Sequence, residues 1–152
     1  ALIGAQLAVK EINDKGGLNG RNLGIVFEDD QCSKEGGVAA MTKLIVVNQV
    51  SAVLGSLCSE ASEAANPIAQ VAGMPTIIVG AGASDLTKDG EFIFRAYPSE
   101  LAEGRFAADY LYSILKKSKA AVITEQKYQH LDKTRSVIYH TKQNQFALFL
   151  LY

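Results

Sequence analysis

Tryptophan is absent from this 152-residue chain, cysteine occurs twice and proline three times. So few cysteines exclude a disulfide-dense miniature scaffold. Every apolar run falls short of the roughly 20 residues a membrane-spanning helix needs, so no membrane span is expected. The formal net charge is −1 and lysine and arginine do not cluster, which removes the electrostatic footprint of nucleic acid or an anionic membrane. Reactive constellations are equally scarce. There is no G-x-S-x-G elbow, no H-E-x-x-H pair and no G-x-x-x-x-G-K loop. The two histidines, His130 and His140, both fall in the irregular tail. The expectation is therefore a non-enzyme, with no metal and no cofactor. No secretory-leader pattern opens the chain either, since an amphipathic stripe is already running from Ala1.

What is present is an ordinary globular composition, 48% hydrophobic and 20% charged, in a chain long enough for one domain with a core. Ala5, Ala8, Val9 and Ile12 follow helical spacing, and Gly16-Gly17 stops that helix. Leu23 to Phe27 is a short apolar run that reads as a buried strand. A second helix spans about 34–48, striped by Val38, Met41 and Ile45, with Ser33 as its cap. Ala52 to Leu54 reads as a strand, followed by a helix whose face is Ala61, Ala64, Ala65, Ile68 and Ala72. Pro75 to Val79 and Phe92 to Phe94 read as further strands. A long helix begins near Pro98 and carries Gly104, Ala108, Leu111, Tyr112 and Leu115 on one stripe. Ala120 to Thr124 is the last clear strand. Residues 127–152 lose this punctuation and read as irregular, ending in the apolar run 146–152.

Strands alternating with helices predict an α/β fold, a doubly wound and mostly parallel sheet with helices on both faces. Ligands of such sheets sit beyond the carboxyl ends of the strands. Three features mark those ends. Cys32 and Cys58 each follow a predicted strand on the same edge, and neighbouring strands about 4.8 Å apart suit a disulfide. The competing reading is a pair of free buried thiols. Ser59 stands between a strand and a helix, where unpaired N–H groups and the helix dipole favour an anion. It serves there either as an anion ligand or as a plain helix cap. At the next strand end, Gly80-Ala81-Gly82 permits close backbone approach to a ligand, or is a simple turn. That turn holds only two glycines of a dinucleotide fingerprint, with Asp85 in the third place. Asp29-Asp30 reads as a solvated strand end rather than a metal site.

Several motifs in order resemble one family. They are Gly4-Ala5-Gln6-Leu7-Ala8-Val9, Glu11-Ile12-Asn13 with Gly16-Gly17-Leu18-Asn19-Gly20-Arg21, and Glu28-Asp29-Asp30-Gln31-Cys32. Gly55-Ser56-Leu57-Cys58-Ser59, Pro75-Thr76-Ile77-Ile78, Asp85-Leu86-Thr87, Phe94-Arg95-x-Tyr97-Pro98 and Val122-Ile123 continue the series. Over about residues 4–126 the sequence resembles the branched-chain amino acid binding proteins, type I periplasmic binding proteins of ABC transporters. The resemblance implies a first ligand-binding lobe over 1–126 and a remnant of hinge and second lobe over 127–152. It implies that Cys32 and Cys58 form a disulfide and that Ser59 binds a ligand carboxylate. Gly80, Ala81 and Gly82 supply further contacts, with Tyr128 as a second-lobe neighbour. Gly82 stands where members for branched-chain amino acids typically carry threonine, and Glu60 follows Ser59.

The function so implied is capture of an amino acid or similar small carboxylate for a transporter permease. The location so implied is periplasmic or extracellular, with or without a lipid anchor. Members begin with a strand ahead of the first helix and clamp ligand between two lobes. With neither that strand nor most of a second lobe in this sequence, half a binding site and weak ligand affinity are expected. A ligand-sensing domain of a receptor or regulator on the same fold is the alternative, and a nucleotide-using Rossmann enzyme a distant third.

Overall fold

A computed structural model describes residues 2–117, 119, 138–141 and 144–147, the last two stretches as backbone. The chain divides into two compact units, residues 1–81 with 86–96 and residues 82–85 with 97–152.

The first unit opens with α1, Leu2–Asp14. Its helix ends where glycine makes ending easy. The Gly17 N–H donates to the Ile12 carbonyl (2.9 Å) and the Gly16 N–H to that of Asn13 (3.0 Å), with Gly16 at φ 98°. That is the left-handed double closure that satisfies the last carbonyls of a helix. Asn19 and Gly20, both at positive φ, then turn the chain so that Leu18 and Arg21 exchange two backbone hydrogen bonds of 2.8 and 3.0 Å.

Helix α2 covers Lys34–Thr42, and its hydrogen bonding widens over Lys43–Val47. Ser33 caps it as expected, its side chain accepting the Gly36 N–H. Strand β1 is Val53–Leu54, α3 is Ser59–Val71, β2 is Thr76–Ile78, and β3 is Ile93–Arg95 after a short 3-10 turn at Leu86–Asp89. The three strands form one parallel sheet in the order β1-β2-β3, with Leu54 opposite Ile77 and Ile77 opposite Phe94.

The core lies on one face of this sheet. Val53, Thr76, Ile78 and Ile93 are buried there, and α3 packs against β2 and β3. Alternate residues point the other way, as a pleated strand requires. Those residues, Leu54, Ile77 and Phe94, are 62%, 39% and 54% exposed. Among the described residues the expected covering of both faces is therefore achieved on one. Helix α1 does not supply the second cover, because it has no buried residue.

The face of α3 is rotated from the expected one. It buries Ala61, Ser62, Ala65, Asn66 and Ala69, while Ala72 is exposed. Two polar residues, Ser62 and Asn66, lie inward, and Asn66 finds an acceptor there. Asn66 Nδ2 donates to the Leu86 carbonyl at 3.0 Å. Small side chains also let α2 come close, since a Cβ on Gly37 would lie 2.5 Å from the Ala61 carbonyl oxygen.

The run Leu23 to Phe27 is the main correction. It forms no ladder with any strand among the described residues, and Ile25, Val26 and Phe27 are 37–46% exposed. A strand exists through its partners, and here the segment is held from the side by Asn13. That amide accepts the Leu23 N–H (2.7 Å) and donates to the Leu23 carbonyl (3.0 Å).

In the second unit Ser99 caps α4, Glu100–Asp109, by accepting the Ala102 N–H, and the helix widens over Tyr110–Ile114. Within the stretch read as irregular, β4 (Ile138–Thr141) and β5 (Asn144–Ala147) pair antiparallel. The strand expected at Ala120 to Thr124 lies outside the described residues.

Candidate functional site

In the first unit, the loops after residue 27 and after β1 meet at the carboxyl edge of the sheet. Cys32 and Cys58 are disulfide-bonded there with a Cα–Cα separation of 5.3 Å. Of the two readings kept open for the cysteines, the structure has the bridge. A second link runs beside it. Asp30 accepts the Cys32 N–H at 3.0 Å through Oδ1 and the Ser56 hydroxyl through Oδ2. Ser56 Oγ in turn accepts the Cys58 N–H at 3.0 Å. Asp29 is taken up locally, accepting the Gln31 N–H at 2.8 Å. Lys43 pairs with Glu28 at 2.8 Å and steadies the start of this loop.

Ser59 is the first residue of α3, and the cap position belongs to Cys58, which makes no side-chain cap bond. The cap position that one reading gave to Ser59 is thus held by Cys58, one residue earlier. The first intrahelical acceptor is the Cys58 carbonyl, which takes the Ser62 N–H at 3.0 Å. The N–H groups ahead of Ser62 therefore have no carbonyl within the helix to bond, and the positive end of the helix dipole lies with them. Ser59 and Glu60 are both half-buried at this point.

Gly80 joins this edge. A Cβ on it would lie 2.5 Å from Leu57 Cδ2 and 3.3 Å from Leu57 Cα. The turn after β2 thus comes close to the loop leading to Ser59, and a side chain at 80 would have to displace the Leu57 side chain. Ala81 is 1% exposed. Gly82 belongs to the second unit, where its carbonyl accepts the Glu100 N–H at 2.9 Å. A Cβ on Gly82 would lie 2.8 Å from Glu100 Cγ, so the Glu100 side chain fills the space that a side chain at 82 would need. Tyr128 lies outside the described residues.

Three polar side chains have contacts or burial that the sequence does not signal. Asp30 and Ser56 are bonded to each other across 26 positions, and only the meeting of two loops brings them together. Ser62, 1% exposed, has a hydroxyl without a partner among the described residues. It lines a cavity of about 70 Å³ with Asp30, Ser56, Met41 and Val53. Among the described residues no cluster of potential metal ligands occurs, and no helix is long and apolar enough to cross a membrane.

A parallel sheet with a disulfide-tied carboxyl edge can be compared with known proteins. The family model described as periplasmic binding protein matches residues 1–135. The chain belongs to the periplasmic binding protein family. One relative in that family is the leucine-specific-binding protein of Salmonella typhimurium, 34% identical over 135 residues, 88% of this chain and 36% of the relative. Among solved structures, the substrate binding protein LivJ of a Streptococcus pneumoniae branched-chain amino acid transporter, in complex with isoleucine, superposes with a TM-score of 0.76. It is 31% identical and matches 85% of this chain and 37% of its own. An ABC transporter substrate-binding protein from Desulfitobacterium hafniense, complexed with Leu, gives 0.73 at 32% identity over 83% of this chain and 37% of its own. The chain thus has the type I periplasmic-binding-protein fold and spans about a third of the length of the relatives it matches. These relatives are named as binding proteins, not as enzymes.

Proposed function

We propose that this chain carries the first-lobe half of a solute-binding site for an amino acid or similar small carboxylate. The observation that carries the reading is the position of Ser59. It is the first residue of α3, at the helix's positive end, on a loop fixed by the Cys32–Cys58 bridge and flanked by Gly80. A carboxylate approaching this edge meets a hydroxyl and backbone N–H donors together. Gly80 adds no side chain of its own beside the loop that leads to Ser59. Relatives complexed with isoleucine and leucine support an aliphatic amino acid as ligand. In the complete protein the partner is a transporter permease, and the compartment is periplasmic or extracellular, with a lipid anchor as one mode of retention. Residues 1–126 make up this lobe, and 127–152, including Tyr128, lead towards the second.

One lobe offers only part of the contacts, so affinity is weak and the test must detect weak binding. Leucine at millimolar concentration should shift the backbone amide resonances of residues 59–62 and of Gly80. Leucinamide, which lacks the carboxylate, should not, and Ser59→Ala should abolish the leucine shifts. Equal shifts with leucinamide, or shifts confined elsewhere, would overturn the carboxylate reading.

A further inference from the structure

We infer that Asp30 is a positioning residue, a polar tie that runs in parallel with the disulfide and holds the N-terminus of α3 in place. Helix α3 begins without a side-chain cap. Its cap residue, Cys58, makes no side-chain cap bond, so the entry to the helix is fixed by other means. Two connections reach Cys58 from the loop after residue 27. One is covalent, from Cys32 to the Cys58 sulfur. The other is a relay from the Asp30 carboxylate through the Ser56 hydroxyl to the Cys58 N–H. The relay is chemically complete, because a hydroxyl donates once and accepts as well. Its anionic end also makes the hydrogen bond a strong one.

Asp30 also reaches the other helix. Its carbonyl accepts the Ser33 N–H at 3.0 Å, and Ser33 caps α2. A Cβ on Gly36 would lie 2.0 Å from that same carbonyl oxygen, so the first turn of α2 rests directly on it. One residue therefore registers two helix N-termini, α2 through its main chain and α3 through its side chain. The Cys32 N–H on its Oδ1 adds the consequence for the bridge: Asp30 holds both cysteine backbones at once. It presents the two thiols to each other before they are joined, and keeps α3 in place after the bond is cut. The bearing of this on ligand capture rests on the reading of Ser59 given above. The relay itself does not.

The test uses the 152-residue chain without ligand, so its failure is distinct from failure of the carboxylate reading. The chain is equilibrated in reduced and oxidised glutathione. Forming the bridge consumes one oxidised glutathione and releases two reduced ones. The oxidised fraction is then trapped with maleimide. Asp30→Ala and Ser56→Ala should each lower the effective concentration of the cysteine pair roughly tenfold, the loss expected for one hydrogen bond to a charged group. Leu86→Ala, remote from the relay, should lower the melting temperature and leave that effective concentration unchanged. Hydrogen exchange at residues 62–65, the first amides bonded within α3, gives the second readout. Protection should persist in reduced wild type and in oxidised Asp30→Ala, and disappear only in reduced Asp30→Ala. Wild type losing protection on reduction as fully as the variant would overturn the inference, as would an effective concentration unaffected by Asp30→Ala. If Asp30→Ala fails to fold, Ser56→Ala carries both readouts.

Discussion

Helices α1 and α3 are both 13 residues long, yet α3 buries five of its residues and α1 none. Apolar spacing marks both in the sequence, so spacing alone does not decide which becomes core. The difference lies in size and in ties. Helix α3 presents alanines with two small polar residues, which lets the backbone of α2 approach at Gly37, and it is anchored at its start by the bridge and the Asp30 relay. Helix α1 presents Ala5, Val9 and Ile12 as its less exposed side but is held mainly at its end. There Asn13 grips Leu23 and the Gly16-Gly17 closure finishes the helix. One helix is secured by packing along its length, the other by polar fastening at one point.

That contrast can be broken by substitution. Replacing both cysteines by serine should cost the most, about 3.5 kcal/mol in the chain-entropy model for a closed loop of this separation, read as a loss in urea-denaturation stability. Gly37→Ala should follow at about 2–3 kcal/mol, because its Cβ meets Ala61 backbone rather than a yielding side chain. A loss below about 0.5 kcal/mol would mean that α2 and α3 slide apart freely. Asn13→Ala should cost about 1–2 kcal/mol, the net of two partly buried hydrogen bonds, and should raise hydrogen exchange at Leu23. Lys10→Ala, which removes the exposed pair with Asp14 on α1, should change the melting curve by no more than about 0.5 kcal/mol. Should Lys10→Ala rival Gly37→Ala, the distinction between the two helices would collapse.

Much of the architecture was readable because glycine and charge mark its joints. Strands β1 to β3, the Ser33 cap and the ends of α1 fall where apolar runs and turn residues put them. The misreadings share one cause, dependence on a distant partner. Leu23 to Phe27 has the composition of a strand but no ladder among the described residues. Asn66 lies off the apolar stripe expected for its helix, and the Leu86 carbonyl receives its amide inside. At the candidate site, the cysteines and Ser59 were visible because their types are unusual and their spacing meaningful. Asp30 was dismissed as a solvated strand end, since neither Ser56 nor Cys58 is near it in sequence. Residue type suggests a chemistry, but topology selects which neighbours it acts on.

The interleaving of the two units has a consequence for how the molecule comes apart. The backbone passes between them three times, after residues 81, 85 and 96. A protease cutting once at the first crossing would leave residues 86–96 on the fragment that carries α4. The first unit would then be made of two chains, joined by the backbone bonds between β2 and β3 with no covalent link, since the disulfide closes entirely within 1–81. Nicked protein would migrate as one species under native conditions and as two in denaturant. Only a cut after residue 96 would keep the first unit on one fragment, and that fragment would carry residues 82–85 away from the second.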